Sequence, residues 1–235
     1  MVVLAGTSGF SYPEWKGCFY PEGMKSDGML AHYAGRLAAV EINNTFYKLP
    51  RRELIESWAA QVPAQFRFVL KASQRITHMA RLDPGKAGEP LGYLWQVAGA
   101  LGERLGPLLF QTPPNLKPDL ERLRGFLALL PAGMRAAFEF RHPGWYDPAV
   151  LELLRGAGAA WCIAEDDGDP EPPVAATADW GYLRLRRTEY APAALAAWAE
   201  RLRAQPWREA WVFFKHEGAG CPPLTALAFQ QLMTG

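Results

Sequence analysis

The chain has 235 residues, of which 49% are hydrophobic and 21% are charged. This composition allows one large globular domain with a full core and excludes a disordered chain. The formal net charge of +1 gives no overall attraction to nucleic acid or to an anionic membrane, so any anion-binding site must come from a local group of lysines and arginines.

Three cysteines, Cys18, Cys162 and Cys221, are widely spaced and form no CxxC pair. Such an odd, scattered set is a poor disulfide framework and a poor zinc site, and it indicates a reducing compartment. The N-terminal MVVLAGTSGFSYPEW lacks a basic segment and is typical of a first strand rather than a signal peptide. No apolar run approaches the ~18 residues of a membrane span. We therefore expect a cytoplasmic protein with no membrane partner.

Eight short apolar runs alternate with longer amphipathic segments along the chain. Each run has the length of a strand and is rich in Val, Ile, Leu, Phe or Tyr. The predicted strands are VVLAG from Val2, AVEIN from Ala39, FRFVLKA from Phe66, PLLFQ from Pro107, AAFEFR from Ala136, AWCIAED from Ala160, GYLRLR from Gly181 and AWVFFKHE from Ala210.

Helical patterns fill most of the spaces between these strands. The predicted helices are RRELIESWAAQV after Pro50, GEPLGYLWQVAGALGERL from Gly88, DLERLRGFLALL from Asp119, DPAVLELLRGAG from Asp147, APAALAAWAERLRA from Ala191 and PPLTALAFQQLM from Pro222. A weaker pattern covers residues 29–37, and the segment DDGDPEPPVAATAD from Asp166 is too rich in proline for a normal helix.

Eight strands and roughly seven helices predict a TIM (β/α)8 barrel that occupies residues 1–235 as a single domain. A doubly wound open sheet is the alternative architecture. It would favour fewer strands and a GxGxxG motif after the first strand, which this sequence lacks.

Most of the predicted strands carry bulky apolar residues on one face and a polar residue late on the other face. In AAFEFR, Phe138 and Phe140 share one face, whereas Glu139 and Arg141 share the other. One charged strand end is usually just solvated, but six or seven in phase predict a pocket at the carboxyl ends of the strands, because buried charge is costly unless paired or used. The predicted pocket residues are Glu41, Asn43, Lys71, Gln111, Glu139, Arg141, Asp166, Arg184, Arg186 and Lys215.

Cations outnumber carboxylates in this set. Because guanidinium groups bind phosphate and carboxylate through paired hydrogen bonds, the expected ligand is a small anionic metabolite. We expect an enzyme that works by acid–base chemistry, with Glu41, Lys71 and Glu139 as catalytic residues and with Arg184 and Lys215 holding the ligand. The reaction could be that of a lyase, an isomerase or a hydrolase. A desolvated Lys71 or Lys215 could form a Schiff base, although pairing with Glu41 or Glu139 is the more common state for a lysine.

The segment Gly6-Thr7-Ser8-Gly9 ends the first predicted strand. Its backbone N–H groups and two hydroxyls could cradle an oxyanion. An ordinary turn from strand to loop is equally compatible with the same residues.

A divalent-metal hydrolase is one alternative. Its ligands would come from His142, His216, Glu139, Asp166 and Glu217, but no HxH or HExxH spacing occurs, and the neighbouring cations oppose a divalent ion. We therefore predict no metal and no cofactor.

Aromatic residues in the loops after the strands suggest a second alternative. They could stack on the bases of a nucleotide or of single-stranded nucleic acid. A lid of rings packed over the barrel mouth is the interpretation that we favour, since the chain is nearly neutral. The rings are Trp15, Phe19, Tyr20, Phe46, Tyr47, Trp145 and Tyr146.

Six sequence blocks carry a family resemblance. In chain order they are GTSGFSYPEWKGCFYP, VEINNTFYKLP, FRFVLKASQRITH, LGPLLFQTPPN, FEFRHPGWYD and TADWGYLRL. Together they resemble the domain-of-unknown-function 72 family, also called YecE-like, over residues 6–186. The resemblance implies a TIM-barrel fold, and it implies no reaction because the activity of the family is not established.

Carried over to this sequence, the motif positions of the family are Gly6, Ser8, Tyr12, Trp15, Glu41, Asn43, Thr45, Phe46, Lys71, His78, Gln111, Glu139, Arg141 and His142. We include Gly6, Ser8, Tyr12 and Trp15 among the expected ligand-binding residues. Many members carry Tyr-Phe-Asn-Asn-Asp near the last strand, where this chain has Phe213-Phe214-Lys215-His216-Glu217. A role based on that block is therefore not carried over.

Overall fold

A closed barrel of eight parallel strands forms the centre of the molecule. The computed structural model describes residues 1–168, 171–215 and 221–234. Neighbouring strands pair in chain order, and the first strand also pairs with the last, which closes the barrel. The strands are β1 (Val2–Ser8), β2 (Ala39–Ile42), β3 (Arg67–Lys71), β4 (Leu105–Gln111), β5 (Ala136–Glu139), β6 (Ala160–Glu165), β7 (Trp180–Leu185) and β8 (Glu209–Phe214). The predicted TIM barrel is confirmed.

Helices connect the strands on the outside of the barrel. They are α1 (Ser26–Ala34), α2 (Asn44–Tyr47), α3 (Arg52–Ala60), α4 (Pro84–Ala98), α5 (Leu120–Leu127), α6 (Pro148–Gly156), α7 (Pro192–Arg203) and α8 (Pro222–Thr234). In the described part of the segment between β6 and β7 no helix occurs, which agrees with its proline content. None of the helices in the described ranges is long and apolar enough to cross a bilayer.

The boundaries of α4 differ from the prediction. The helix was expected to run from Gly88 to the residue before Gly106, but it begins at Pro84, where Asp83 caps the first turn, and it ends at Ala98. A short 3-10 segment follows, in which Gly102 adopts a positive φ of 55°. That conformation is not helical, and glycine adopts it at little cost. The helical pattern of the sequence therefore extends past the last residue of the helix.

Alternation along the strands divides the apolar core into two layers. One face of each strand packs against the helices, as Phe68 and Phe138 do. The other face fills the barrel interior, where Val69, Leu109 and Tyr182 lie. Strand residues two positions beyond these interior side chains share their face, so the polar residues at the strand ends point toward the barrel axis.

Gly6 lies in the middle of β1, where the backbone closely approaches β2. A Cβ atom at this position would lie 2.0 Å from the carbonyl oxygen of Ala39. Glycine is therefore required for the contact between the two strands. A ligand contact at Gly6 stays a prediction.

Cys18 and Cys221 form a disulfide. Their Cα atoms are 6.3 Å apart, although 203 positions separate them in the sequence. The cysteines were expected to be a poor disulfide framework. That expectation was wrong, because barrel closure brings the loop after β1 next to the residue that precedes α8. The pairing also removes the cysteine-based argument for a reducing compartment. Cys162 is buried and free.

Candidate functional site

A buried arginine joins two buried carboxylates inside the barrel mouth. Arg184 of β7 is 4% exposed. Its Nη2 lies 2.9 Å from Oε1 of Glu41, and its Nη1 lies 2.7 Å from Oε2 of Glu139. One guanidinium group therefore connects β2, β5 and β7. Its Nε is buried and has no hydrogen-bond partner among the described residues.

Glu41 is fully buried, and its carboxylate accepts hydrogen bonds from three side chains, of which Arg184 is one. Ser8 Oγ donates to Oε1 at 2.8 Å, and the Tyr182 hydroxyl donates to Oε2 at 2.7 Å. Burial raises the pKa of Glu41, but the Arg184 charge and these hydrogen bonds outweigh burial and hold the pKa below its usual value. Glu41 is therefore ionised at neutral pH.

Glu139 has a similar environment at the end of β5. Gln111 Nε2 donates to its Oε1 at 2.8 Å, and Arg141 Nε lies 3.4 Å from the same oxygen. Burial raises the pKa of Glu139, but the charges of Arg184, Arg186 and Arg141 together lower it to about 2. Glu139 is therefore a permanent anion at neutral pH.

Lys71 ends β3 and is half-buried beside this cluster. Its Nζ lies 4.3 Å from the centre of the Phe46 ring. The ammonium group has no ion pair in the described part of the chain, so the expected pairing with Glu41 or Glu139 was wrong, because Arg184 binds both carboxylates. Burial and the Arg184 charge lower the pKa of Lys71 to about 8.

His78 contacts the same aromatic ring as Lys71. Its ring centre lies 4.9 Å from that of Phe46, and its Nδ1 is 2.9 Å from Thr77 Oγ1. Burial, followed by the charges of Lys71 and Arg141, lowers the pKa of His78. The imidazole is therefore neutral at pH 7. Only the family resemblance pointed to this histidine.

Arg186 and Asp166 form a separate pair at the outer edge of the cluster. Arg186 Nη2 lies 3.0 Å from Asp166 Oδ2. The Nε atom of Arg186 is buried and donates no hydrogen bond to any described residue. The structure thus brings together these two predicted residues, which follow β7 and β6 respectively.

Two predicted ligand-binding residues line a cavity whose described lining does not include Glu41, Glu139 or Arg184. Tyr12 and Asn43 line a cavity of about 340 Å³. This cavity adjoins another of about 550 Å³, with which it shares Asn44, Leu54 and Trp58. The Oδ1 atom of Asn43 is buried and has no hydrogen-bond partner among the described residues.

Trp15 and Lys215 are also separate from the charged cluster. Trp15 is 1% exposed, and its ring packs against Tyr12 and Tyr20. Lys215 lines a cavity of about 310 Å³ together with Arg187 and other residues. Neither residue touches the carboxylates that Arg184 binds.

The Gly6–Gly9 segment uses its hydroxyls within the protein. Ser8 donates to Glu41, Thr7 Oγ1 donates to the Gly9 carbonyl at 2.6 Å, and Gly9 N–H donates to the Glu41 carbonyl at 2.8 Å. These contacts favour the turn over the oxyanion cradle.

Most of the loop aromatics are packed inside the molecule. Trp15, Phe19, Tyr20 and Trp145 are between 0% and 3% exposed. Tyr47 and Tyr146 are 73% and 48% exposed. The buried rings contribute to packing at the barrel mouth, and they offer no surface on which a base could stack without rearrangement.

Candidate metal ligands are not clustered in the part of the chain that the structure describes, where no three His, Cys, Asp or Glu side chains converge. His142 instead accepts a hydrogen bond from the Gly144 N–H through Nδ1 at 3.1 Å. His216 and Glu217, which were considered as ligands, lie outside the described residues, as does the end of the Phe213-Glu217 block.

Two residues were missing from the predicted site. Tyr182 lies inside the barrel and donates to Glu41; its position two residues before Arg184 was the available signal. Glu165 is buried on the helix-facing side, where Tyr190, Trp198 and Arg187 bind its carboxylate. Its helix-facing position excluded it from a pattern that selected residues pointing toward the barrel axis.

Sequence comparisons place the chain among proteins of unknown function. The family described as "Protein of unknown function DUF72" matches residues 4–235. Over 158 residues the chain is 30% identical to UPF0759 protein YecE of Escherichia coli K12, an alignment that includes 67% of this chain and 55% of that protein. Over 140 residues it is 27% identical to UPF0759 protein YunF of Bacillus subtilis, covering 57% and 49% of the two chains. The chain thus aligns with about half the length of these curated relatives.

Solved structures show the same architecture. A DUF72 family protein of Thermotoga maritima matches with a TM-score of 0.87 and 27% sequence identity over the whole of both chains. One from Enterococcus faecalis matches with a TM-score of 0.79 and 20% identity over 100% of this chain and 98% of that one, a likeness that shows the fold alone. Because the family match extends from residue 4 to residue 235, this chain belongs to the DUF72 family.

Proposed function

We propose that this chain is an enzyme that acts on a small anionic metabolite at the carboxyl end of the barrel, and that Lys71 exchanges a proton with the bound molecule. The observation that carries the proposal is the ammonium group of Lys71. It has no carboxylate partner in the described part of the chain, although Glu41 and Glu139 are close enough to affect its pKa.

The charges of the cluster balance except at Lys71. Arg184 and Arg141 face Glu41 and Glu139, and Arg186 faces Asp166. One positive charge is left over beside a region of low dielectric, where electrostatic attraction is stronger than in water. A bound anion would satisfy that charge and raise the pKa of Lys71, because a neighbouring opposite charge favours the protonated form.

The roles of the carboxylates become more specific in this proposal. Glu41 and Glu139 were expected to be catalytic, but their lowered pKa values make them weak bases near pH 7. They hold Arg184 in place, and the proton moves at Nζ of Lys71. Arg184 was expected to hold the ligand, but both of its terminal nitrogens bind carboxylates.

Arg141 takes over the ligand contact in the proposal. Its side chain is 38% exposed, and its 3.4 Å contact with Glu139 is long. A guanidinium group held this loosely can turn toward a phosphate or carboxylate at small cost. A ligand role for Lys215, at the separate cavity, stays a prediction.

Deuterium exchange tests the proposal. We would incubate the protein in heavy water with a pool of small carboxylates and phosphorylated sugars and follow C–H to C–D exchange by mass spectrometry. Wild type should label at least one component, and Lys71→Met should abolish labelling. Lys71→Arg should also abolish it while keeping anion binding, because a guanidinium group retains its charge but does not release its proton.

Lys86→Met is the matched control, since Lys86 is exposed on α4 away from the cluster. This variant should label the pool as wild type does. Unchanged labelling in the Lys71 variants, or no reaction of any pool component with folded wild type, would contradict the proposal.

Binding without chemistry is a second candidate function. The exposed rings of Tyr47 and Tyr146 favour a nucleotide or single-stranded nucleic acid as its ligand. This function predicts that the protein binds a labelled oligonucleotide, that salt weakens the binding and that Arg141→Met reduces it, with no turnover of the pool.

A further inference from the structure

We infer that the Lys71 amine is a nucleophile that forms an imine with a small aldehyde or ketone carrying a carboxylate or phosphate group. The inference rests on the proposed function, because it uses the same site and the same anion. It adds the class of substrate and the bond that is made.

The first argument is the unpaired state of the amine. A lysine that is bound to a carboxylate must break the ion pair before its nitrogen can attack. Arg184 binds Glu41 and Glu139 at 2.9 Å and 2.7 Å, so both carboxylates near Lys71 are already occupied. The lysine nitrogen therefore faces no competing ion pair in the described part of the chain.

The second argument is the position of the side chain. Thr45 Oγ1 donates to the Lys71 carbonyl at 2.7 Å, which ties the end of β3 to the start of α2. The next residue, Phe46, places its ring 4.3 Å from Nζ. The ring covers the nitrogen with apolar surface and offers it no carboxylate, in keeping with the burial that lowers the pKa of Lys71.

The protonation state supports this geometry. With a pKa of about 8, about a tenth of Lys71 is neutral at pH 7, whereas an unperturbed lysine is less than about one part in a thousand neutral. The neutral amine is the form that attacks a carbonyl carbon.

The third argument is the neighbouring cation. Arg141 is exposed, is close enough to Lys71 to affect its pKa, and is held by one long contact with Glu139. It can bind the anionic group of a substrate whose carbonyl carbon reaches Nζ. This arrangement selects carbonyl compounds that carry a negative charge over uncharged ones.

The reaction balances without an oxidant or a reductant. The lone pair of the neutral amine forms a C–N bond to the carbonyl carbon, and one proton passes from the nitrogen to the carbonyl oxygen, which becomes a hydroxyl group. A second proton, from solvent, lets that hydroxyl leave as water. The C–O bond breaks, the nitrogen lone pair forms the C=N bond, and a protonated imine remains on Lys71.

Trapping with sodium cyanoborohydride tests the inference. Wild-type protein would be treated at pH 7 with pyruvate or, in parallel, with acetone, and the modified lysines located by peptide mass spectrometry. Pyruvate should modify Lys71 about ten-fold or more faster than Lys86, given the larger neutral fraction of Lys71. Arg141→Met should slow the reaction with pyruvate by a larger factor than the reaction with acetone. Loss of the Arg141 charge raises the pKa of Lys71 for both ketones, but it removes an anion contact only for pyruvate.

The comparison of lysines within one folded wild-type protein makes the test independent of whether variants fold. Equal rates at Lys71 and Lys86 would overturn the inference. Deuterium labelling that depends on Lys71 without an adduct would overturn the imine and leave the proposed function standing. An adduct at Lys71 without labelling or turnover of any pool component would support the imine and count against the proposed enzyme.

Discussion

Lys71 and Glu139 belong to one charged cluster but differ in what balances their charge. Glu139 has two arginines and a glutamine on its carboxylate. The ammonium group of Lys71 instead lies over the aromatic ring of Phe46. The pKa values of both groups are lowered. The environment therefore favours the charged form of Glu139 and the neutral form of Lys71. A lysine in this state is available for proton transfer, and a glutamate in this state is not.

Lys71 should titrate with a midpoint near 8. In an NMR titration of protein with ¹³C-labelled lysine, one Cε resonance of the seven lysines should shift near that pH, and Lys71→Arg should remove it. Glu139→Gln should move the midpoint lower, because the Glu139 charge raises the pKa of Lys71. A Lys71 resonance that titrates near 10.5, like that of an exposed lysine, would contradict the lowered pKa of Lys71.

Glu139 should make stability depend on pH in the acid range. The pKa of Glu139 in the folded protein, about 2, lies below its ordinary value of 4.5. Its contribution to the free energy of unfolding is therefore complete above about pH 5 and is lost as the pH falls toward 2. The difference in unfolding free energy between wild type and Glu139→Gln should therefore narrow over that range in urea titrations.

Glu121→Gln is the control for this measurement, since Glu121 has an exposed partner on α5 and an 82% exposed side chain. It should change stability little at any pH. A difference in unfolding free energy between wild type and Glu139→Gln that stays constant from pH 7 to 2 would count against the lowered pKa of Glu139.

At the scale of elements, Arg184 joins three strands that are not neighbours in the barrel. Its two ion pairs connect β7 to β2 and to β5 across the barrel interior. Such a link restrains the strand ends from which the other groups of the site project. It adds stability only while both carboxylates keep their partner, because an unpaired buried charge is costly.

Arg184→Met should destabilise the protein by about 3–5 kcal/mol, the usual cost of leaving buried charges without a partner. Urea unfolding measures the change. Arg52→Met is the matched control, since Arg52 pairs with Glu56 on the surface of α3 and such a pair contributes about 0.3–0.5 kcal/mol. Equal effects of the two substitutions would show that the bridge across the barrel adds nothing to stability.

At the scale of the whole molecule, the disulfide connects the first and the last strand–helix units of the barrel. Cys18 follows β1, and Cys221 precedes α8, so the bond crosses the seam where β1 and β8 pair. A covalent bond over 203 positions limits the conformations of the unfolded chain, which stabilises the folded state.

Reduction of this bond should lower the free energy of unfolding by up to about 5 kcal/mol, as loop-closure entropy predicts for a loop this long. Urea unfolding with and without a reductant measures the effect. The double variant Cys18→Ser/Cys221→Ser should unfold at one urea concentration in both conditions. Wild type that is equally insensitive to the reductant, with three titratable thiols after unfolding, would show that the bond does not form.

The sequence alone determined the barrel, its eight strands and the set of polar residues at the strand ends. Those features depend on alternation within a few neighbouring residues, and that pattern is visible in one segment at a time. The predicted start of α4 at Gly88 was wrong for the same reason, because the Asp83-Pro84 signal for the start of the helix lies outside the apolar pattern.

Only the tertiary structure decided which groups are partners. Arg184 and Glu41 are 143 positions apart in the sequence, and Cys18 and Cys221 are 203 apart. Local sequence patterns carry no information about which distant residues meet, because closure of the barrel brings those residues together. Arg184 binds both carboxylates because of its place in the barrel, and Lys71 beside it is thereby left without a carboxylate partner among the described residues.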